Sequence, residues 1–347
     1  MTGALLEIND LTVRYPAGPL LDRLRGGPRT VTVLPGTSLS LARGETLGLI
    51  GESGSGKTTL GRAAVGLTPI SSGSVRVGPH VATHGKARVW GQIRRDVALV
   101  FQDPVAALDP RMRLGRAVTE PLAIHRQIEG SRRERAVELL GQVGLSPDFA
   151  DRYPHQISGG QARRVTVARA LALGPALVVA DEPTAGLDLS VQGELLNLLN
   201  DLQARLGVSF LIITHNLAVA RHVTDRIAIM YLGRIVETGP SAAIFARPAH
   251  PYTRALLAAH EETAEEGSGA GRAPIEGEVP SLRARPEGCE FHTRCPLASD
   301  LCRRRAPPSR LIGRRHSAAC HYAEPAEPAG APPEALKEEN PTTRRLR

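Results

Sequence analysis

Short apolar runs bounded by turn residues recur along the chain, and they predict an α/β fold. The runs lie at 46–50, 97–101, 177–180, 208–213 and 226–232. Their length and their lack of polar alternation are typical of buried strands in a largely parallel sheet. Segments between several of these runs show helical spacing, so the pattern predicts helices that cover the sheet.

Two further patterns predict elements added to this core. Residues 4–14 alternate as an edge strand does, and a second strand at 37–41 turns toward the run at 46–50, which predicts an antiparallel β layer beside the core. Residues 114–143 place apolar side chains at helical spacing. We therefore interpret residues 103–170 as a helical subdomain inserted into the α/β core.

Composition sets the remaining boundaries. The 347 residues, 41% hydrophobic and 22% charged, suit a globular chain with an ample core. We assign residues 1–260 to the main domain and the Gly- and Glu-rich residues 261–273 to a linker. Residues 274–322 form a compact segment that holds all four cysteines, and the Pro-, Glu- and Ala-rich residues 323–347 are predicted to be a disordered tail.

Hydropathy and charge argue against two classes of protein. No apolar run approaches the ~20 residues that cross a bilayer, and the N-terminus lacks the pattern of a signal peptide, so we expect a cytoplasmic protein. The net charge of +8 could indicate nucleic acid. However, the arginines are spread along the chain and aromatic residues make up only 3%, so we predict no nucleic-acid partner.

A glycine-rich segment follows the run at 46–50. Its pattern, G-x-x-x-x-G-K-T between a predicted strand and a predicted helix, is that of a loop whose backbone N–H groups wrap nucleotide phosphates. The chain has only three lysines, yet Lys57 stands where it reaches the β- and γ-phosphates. A glycine-rich turn with a chance lysine is the alternative. The predicted phosphate-binding residues are Gly51, Glu52, Ser53, Gly54, Ser55, Gly56, Lys57, Thr58 and Thr59.

Two acidic residues, Asp181 and Glu182, follow the run at 177–180. After a phosphate loop, Asp181 and the Thr58 hydroxyl suit a bound Mg²⁺. Glu182 suits polarisation of a water that attacks the γ-phosphate. Two solvated carboxylates at a strand end are the alternative. The combination predicts a nucleoside triphosphate and Mg²⁺ as ligands and hydrolysis of the γ-phosphate as the reaction.

Further motifs, in order along the chain, resemble those of ABC ATPases. Residues 158–161 resemble the signature motif, although Ile157 precedes them where the family has Leu; Gln102 matches the Q-loop and His215 the H-loop. The resemblance covers about residues 4–260. It implies a P-loop NTPase cassette, with a RecA-like core, an antiparallel β layer and an inserted helical subdomain. It also implies nucleotide contacts by Tyr15, Ser158, Gly159, Gly160, Gln161 and the D-loop residue Asp188.

The resemblance carries a mechanism with it. In this family two cassettes form a dimer with ATP bound between them. The resemblance therefore implies that residues 158–161 face a γ-phosphate held by the other cassette. It implies that Glu182 is the catalytic base, that His215 contacts the γ-phosphate, and that Gln102 senses Mg²⁺ and water. Without the other motifs, Gln102 and His215 would be ordinary polar residues at strand ends.

Other segments are similar to the ATP-binding subunits of oligopeptide and dipeptide permeases: 100–104, 108–112, 230–237, 250–257 and, most distinctively, 286–296. This similarity implies import of peptides or similar small solutes, with the chain peripheral on the cytoplasmic face of the cell membrane. The implied partners are two integral-membrane permease subunits, a second ABC ATPase subunit, identical or different, and an extracytoplasmic solute-binding protein.

The cysteines are spaced C-x5-C-x6-C-x17-C. In a reducing compartment such a group indicates a metal more than disulfides, although this is not the CxxC pattern of zinc sites. The subfamily resemblance implies a [4Fe–4S] cluster, with Zn²⁺ as the alternative and His292, His316 or His321 as substitute ligands. Free structural thiols are the third possibility. The predicted ligands are Cys289, Cys295, Cys302 and Cys320.

Other functions stay open at this stage. One is a soluble ABC ATPase of translation or DNA repair, but the chain has neither a second cassette nor a long coiled-coil insertion. Another is an importer of a non-peptide solute such as a nickel chelate. The cysteine-bearing segment argues against an exporter cassette. The intact set Lys57, Asp181, Glu182 and His215 argues against a catalytically silent cassette.

Overall fold

A computed structural model describes residues 3–17, 30–85, 87–264 and 277–324. Its strands are β1 (Ala4–Pro16), β2 (Thr30–Ala42), β3 (Thr46–Ile50), β4 (Ser72–Val77), β5 (His80–Thr83), β6 (Val97–Val100), β7 (Leu177–Asp181), β8 (Ser209–Thr214), β9 (Arg226–Tyr231), β10 (Arg234–Pro240), β11 (Arg310–Gly313) and β12 (His316–Ala318).

The helices lie between and after these strands. They are α1 (Lys57–Ala64), α2 (Ala87–Asp96), α3 (Leu114–Val118), α4 (Glu120–Ile124), α5 (Arg132–Gln142), α6 (Gly159–Leu171), α7 (Leu189–Leu206), α8 (Leu217–Val223), α9 (Ser241–Ala246), α10 (Pro251–Ala264) and α11 (Asp300–Arg304), with 3₁₀ turns at Pro147–Asp151 and Pro154–Gln156. Within the described ranges, no helix combines the length and apolarity needed to span a membrane.

The larger sheet has eight strands in the order β11-β12-β10-β9-β3-β8-β7-β6. The five strands from β9 to β6 are parallel, and β10, β12 and β11 extend the sheet in antiparallel fashion. Strands β3, β7 and β8 are buried along their whole length. Their continuous apolar sequence follows from this, because helices cover both faces of a parallel sheet.

The smaller sheet is antiparallel, in the order β2-β1-β4-β5. The prediction of an edge strand at residues 4–14 is wrong, because β1 pairs with β2 on one side and with β4 on the other. The cause is β4, which folds back from residue 72 onward to cover the free edge of β1. Leu6, Ile8 and Leu11 of β1 are buried and pack against the core under this sheet.

The block at 103–170 contains α3, α4, α5, two 3₁₀ turns and α6, which continues to Leu171. Its apolar side chains form one core with residues of β7, β8 and α7. Leu114, Leu140 and Val165 are among the fully buried members. The helical block is thus packed on the parallel sheet through α6, the helix that begins directly after Ser158.

The cysteine-bearing segment joins the main sheet. Within it, β11 and β12 form a hairpin, and β12 pairs with β10 through Glu237 and Thr238. Of the predicted linker at 261–273, the structure describes residues up to 264, where α10 ends. The rest of that linker lies outside the described residues, as does the predicted tail at 323–347 beyond residue 324.

Candidate functional site

The predicted chemical groups lie at one edge of the parallel sheet. Strands β3, β8, β7 and β6 are neighbours in that order. The phosphate loop (residues 51–58) follows β3, His215 follows β8, Glu182 follows β7, and Gln102 lies just beyond β6. Carboxyl ends of parallel strands meet at the same edge, which is where α/β sheets bind ligands.

Close packing against the hairpin β9–β10 fixes the shape of the phosphate loop. A Cβ on Gly51 would lie 2.2 Å from the carbonyl oxygen of Met230, so only glycine fits there. Gly56 precedes α1 with a φ of 101°, in the left-handed region that favours glycine. The loop is also tied by the Gly233 N–H, which donates to the Ser55 carbonyl at 2.7 Å. Ser53 and Gly54, at the tip, are exposed.

Lys57 is buried at the start of α1, and its ammonium group lies inside the loop. Its Nζ donates to the carbonyl oxygens of Gly51 at 2.7 Å and Glu52 at 2.9 Å. Burial lowers the pKa of Lys57, while Glu182, Asp181 and Glu52 act in the opposite direction. The Lys57 ammonium group is therefore bound by backbone carbonyls inside an open anion-binding loop. When a nucleotide binds, phosphate oxygens can replace those carbonyls as its partners.

Thr58 and Asp181, two of the three predicted Mg²⁺ ligands with Gln102, contact each other. The Thr58 hydroxyl donates to Asp181 Oδ1 at 3.2 Å. Asp181 is buried at the end of β7, and this burial raises the pKa of its carboxyl group. A hydroxyl paired with a buried carboxylate beside a phosphate loop is a suitable donor set for Mg²⁺, which prefers oxygen ligands.

Glu182 is held between two residues at the end of β8. Its Oε1 lies 2.7 Å from His215 Nδ1, and its Oε2 accepts a hydrogen bond from the Thr214 hydroxyl at 3.4 Å. Glu182 also has a φ of 48°, which is uncommon for a residue with a side chain. Strain of this kind persists where the surrounding structure enforces it, often at functional sites. His215 is largely exposed and faces the open edge.

Arg163, which we did not predict as a site residue, connects two of these loops, the one after β6 and the one after β7. From α6 its guanidinium donates to the carbonyl oxygens of Gln102 at 3.1 Å, Glu182 at 3.1 Å and Ala185 at 2.7 Å. Arg163 is 3% exposed, and burial lowers its pKa. In the sequence Arg163 and Arg164 are adjacent, and no feature of the sequence indicates that Arg163 is the buried one.

The signature residues cap the helix that carries them. The Ser158 hydroxyl accepts from the Gln161 N–H at 3.3 Å, and Gln161 Oε1 accepts from the Ser158 N–H at 3.0 Å, which together form a capping box. Ser158 and Gly159 are exposed. A Cβ on Gly160 would come within 2.6 Å of Val191, so Gly160 allows α6 to approach α7. This motif therefore presents an exposed helix N-terminus.

Three other predicted nucleotide contacts lie outside the phosphate loop. Tyr15, near the end of β1, is 39% exposed, and its hydroxyl lies 3.5 Å from Thr68 Oγ1. Asp188 caps α7 and accepts from the Val191 N–H at 2.9 Å. Thr59 lies within the first turn of α1. The structure thus brings the phosphate loop, Asp181, Glu182 and His215 together, and it leaves the signature motif and Asp188 on an exposed surface.

The four cysteines surround one small cavity in the C-terminal segment. All four thiols are free, and the cavity between them is about 10 Å³. Burial raises the pKa of Cys289 to about 11 and also raises those of Cys295 and Cys320. In the described part of the chain, no three His, Cys, Asp or Glu side chains are arranged to hold a metal ion. The predicted cluster and the zinc alternative therefore find no support in this geometry.

Two family models match the chain. Residues 34–185 match the model described as ABC transporter, and residues 236–302 match the C-terminal region of the oligopeptide/dipeptide transporter. A putative peptide import ATP-binding protein of Brucella abortus is 50% identical, over 91% of this chain and 93% of its own. The oligopeptide transport ATP-binding protein of Escherichia coli is 40% identical, over 92% and 97%.

Solved structures agree with these sequence relationships. A dimeric ATP-binding cassette in a post-hydrolysis state with ADP and Pi superposes with a TM-score of 0.58 at 29% identity, over 68% of this chain and 98% of that one. A cassette of a Clostridium perfringens ABC transporter complex gives 0.61 at 25% identity, over 76% and 96%. The chain belongs to the ABC transporter family, among the ATP-binding subunits of the oligopeptide/dipeptide type.

Proposed function

We propose that this chain hydrolyses ATP to energise the import of peptides through separate permease subunits. One observation carries the enzymatic part: a buried Asp181 and a paired Glu182 lie beside a phosphate loop that holds Lys57. The peptide part is supported by relatives from Brucella abortus, Pseudomonas aeruginosa and Escherichia coli, whose names specify peptide, di/tripeptide and oligopeptide transport.

In this proposal each residue of the site has a role. Lys57 and the backbone N–H groups of the phosphate loop bind the triphosphate. Thr58 and Asp181, together with Gln102, hold Mg²⁺, which neutralises charge on the phosphates. Glu182 takes the proton of the attacking water, and His215, now paired with Glu182, turns toward the γ-phosphate. Tyr15 stacks on the adenine base.

A second cassette completes the site. The exposed N-terminus of α6, with Ser158 and Gly159, offers N–H groups to an anion. Ser158 and Gln161 bond to each other in the capping box. In this proposal the anion at this exposed helix end is a γ-phosphate bound by a partner cassette. Asp188 lies on the same exposed surface. The dimeric post-hydrolysis cassette among the similar structures supports this arrangement. The partner is either a second copy or a related ATPase.

An apolar groove beside Gln102 suits a permease subunit. It is a cavity of about 300 Å³ between the parallel sheet and the helical block. Exposed apolar side chains line it, including Leu67 at 52%, Phe101 at 45% and Ile124 at 70% exposure. Apolar clusters of this kind mark protein contacts. A permease seated there would fix the chain as a peripheral protein on the cytoplasmic face of the membrane.

The solute is tested in the assembled transporter. The chain is purified with its permeases in lipid vesicles, a solute-binding protein is added, and ATP turnover and uptake are measured. Peptides should stimulate both, whereas a nickel chelate or a sugar at the same concentration should not. Stimulation by a nickel chelate but not by peptides would instead favour an importer of a non-peptide solute. ATP turnover that neither the permeases nor any solute changes would favour a non-transport ATPase.

We propose separately that the four cysteines hold a [4Fe–4S] cluster, with Zn²⁺ as the alternative. The chemistry of an all-thiol donor set is the reason for this proposal. Because the described side chains are not arranged as a metal site, the thiols would have to rearrange to admit a cluster. The test is the iron, sulfide and zinc content of anaerobically purified protein. Stoichiometric iron and sulfide support the cluster, stoichiometric zinc supports the alternative, and the absence of all three leaves free structural thiols.

A further inference from the structure

An ion pair joins the cysteine-bearing segment to the phosphate loop. Arg294 donates from Nη1 to Glu52 Oε2 at 2.8 Å and from Nη2 to Glu52 Oε1 at 3.0 Å. The Arg294 side chain is 5% exposed and that of Glu52 is 24% exposed. Bidentate arginine–carboxylate pairs are strong and directional, and this one is shielded from solvent on the arginine side. Residue 52 is thus held by a side chain 242 positions away.

Aromatic side chains pack around this ion pair. The Arg294 guanidinium lies 6.0 Å from the centre of the Tyr231 ring. The Tyr252 hydroxyl accepts a hydrogen bond from the Glu52 N–H at 2.9 Å. Tyr231, Tyr252 and Phe291 pack together, with ring centres 4.7 to 5.4 Å apart. Both the backbone and the side chain of Glu52 are therefore fixed by groups outside the loop.

The position of Glu52 matters for the nucleotide. Its carbonyl oxygen accepts hydrogen bonds from Lys57 Nζ at 2.9 Å and from the Ser55 N–H at 3.2 Å. A displaced Glu52 would therefore disturb both the lysine and the turn of the loop. The Glu52 carboxylate also carries a negative charge next to the place of a triphosphate. Without a cation beside it, this carboxylate would repel the phosphates.

We propose that Arg294 is a positioning residue for ATP binding, which acts by holding and neutralising Glu52. The inference rests on the proposed function, since it concerns the same nucleotide site. It assigns the cysteine-bearing segment a part in the nucleotide site, because that segment supplies the cation paired with the phosphate loop. Arg294 directly precedes Cys295, so a change at the cysteine cavity is one residue away from this ion pair.

The test compares four full-length proteins: unchanged, R294A, E52Q and the double variant R294A/E52Q. Equilibrium binding of Mg-ATP is measured, with hydrolysis at saturating ATP and thermal unfolding without nucleotide. We expect R294A to weaken ATP binding about tenfold, with turnover at saturation nearly unchanged. E52Q should lose less affinity than R294A, because it leaves no unpaired carboxylate beside the phosphates. The double variant should regain most of the affinity, because it no longer contains an unpaired carboxylate.

The rescue separates positioning from simple docking. If Arg294 only fastens the segment to the core, R294A will lower the unfolding temperature and E52Q will not restore ATP affinity, which overturns the inference. R294K keeps the charge but loses the bidentate geometry, so it should lose less ATP affinity than R294A. If R294A is folded and both variants lose the same affinity, that result also counts against the inference. Arg304, exposed on α11, provides the control R304A, which should bind normally.

The same measurements distinguish this inference from the proposed function. If the unchanged protein fails to bind Mg-ATP, the proposed function fails. If it binds and hydrolyses ATP but R294A, folded as judged by its thermal transition, binds equally well, only the inference about Arg294 fails.

Discussion

Glu182 Oε1 and His215 Nδ1 lie 2.7 Å apart, and they join the ends of the neighbouring strands β7 and β8. The pair places a carboxylate and an imidazole at the open edge of the sheet, beside the phosphate loop. Since Glu182 is mostly buried and His215 mostly exposed, the histidine is the member that can turn toward a ligand.

Replacing Glu182, the proposed catalytic base, should separate binding from turnover. In E182Q the amide cannot take a proton, so we expect ATP hydrolysis to fall about 100-fold or more while Mg-ATP still binds. The measurements are phosphate release and equilibrium ATP binding. Glu138, exposed on α5, gives the control E138Q, which should hydrolyse ATP normally. Full turnover by E182Q would remove Glu182 from the role of base.

Arg163 should matter for turnover through the two loops that it holds. In R163Q the carbonyls of Gln102, Glu182 and Ala185 lose a shared donor, so the loops that carry the base and Gln102 can shift. Small misplacements of catalytic groups are costly, and we expect kcat to fall about tenfold or more, with a smaller change in ATP affinity. The control is R135Q on the surface of α5. Normal kcat in R163Q would show that the three contacts are dispensable.

The apolar groove beside Gln102 predicts a variant that uncouples the chain from its permease. I124D places a charge at the most exposed apolar position of the groove. We expect the variant to lose copurification with the permeases and solute-stimulated turnover, while the isolated chain keeps its basal hydrolysis. Val81, 43% exposed on β5, gives the control V81D. Normal copurification of I124D would place the permease contact elsewhere.

His250 should make the protein sensitive to acid. It is buried next to Phe291, and burial lowers its pKa from 6.5 to about 4, while Glu237 acts in the opposite direction. The unfolded chain therefore binds a proton that the folded chain does not, so stability is lost as the pH falls from 6.5 toward 4. The shift corresponds to about 3 kcal/mol at most.

Urea unfolding at pH 7.5 and pH 5 measures this effect. The free energy of unfolding should fall less between these two values in H250N than in the unchanged protein, because asparagine does not titrate. His155 is exposed, so H155N should retain the full pH dependence. An equal loss of stability in H250N and the unchanged protein would assign the acid sensitivity to other groups.

Cys289 should react slowly with alkylating reagents in the folded, metal-free protein. Burial raises its pKa from 9.0 to about 11, and the thiolate is the reactive form. At pH 8 the thiolate fraction is thus about 100-fold lower than in the unfolded chain. Mass spectrometry of chelator-treated protein after iodoacetamide measures the rate, with urea-unfolded protein as the control. Equal rates in both states would contradict the burial of this thiol.

The sequence by itself determined the parts of the site that depend on local order. A glycine loop between a buried strand and a helix predicted the phosphate loop, and two acidic residues directly after an apolar run predicted Asp181 and Glu182. His215 was predicted from its match to the H-loop of ABC ATPases. These residues come together because they follow parallel strands, whose carboxyl ends share one edge. The apolar runs themselves were visible because strands covered on both faces have no polar alternation.

Tertiary structure decided what depends on long-range pairing. The place of β1 inside its sheet was set by β4, which returns after the phosphate loop and α1. In the sequence, nothing distinguishes Arg163 and Arg294 from the other arginines. In the folded chain, Arg163 donates to three backbone carbonyls and Arg294 pairs with Glu52. The group of four cysteines predicted a metal site from the sequence. Their arrangement in space depends on tertiary packing, which places them around one small cavity. Partners distant in sequence leave no local pattern, because the chain brings them together only when it folds.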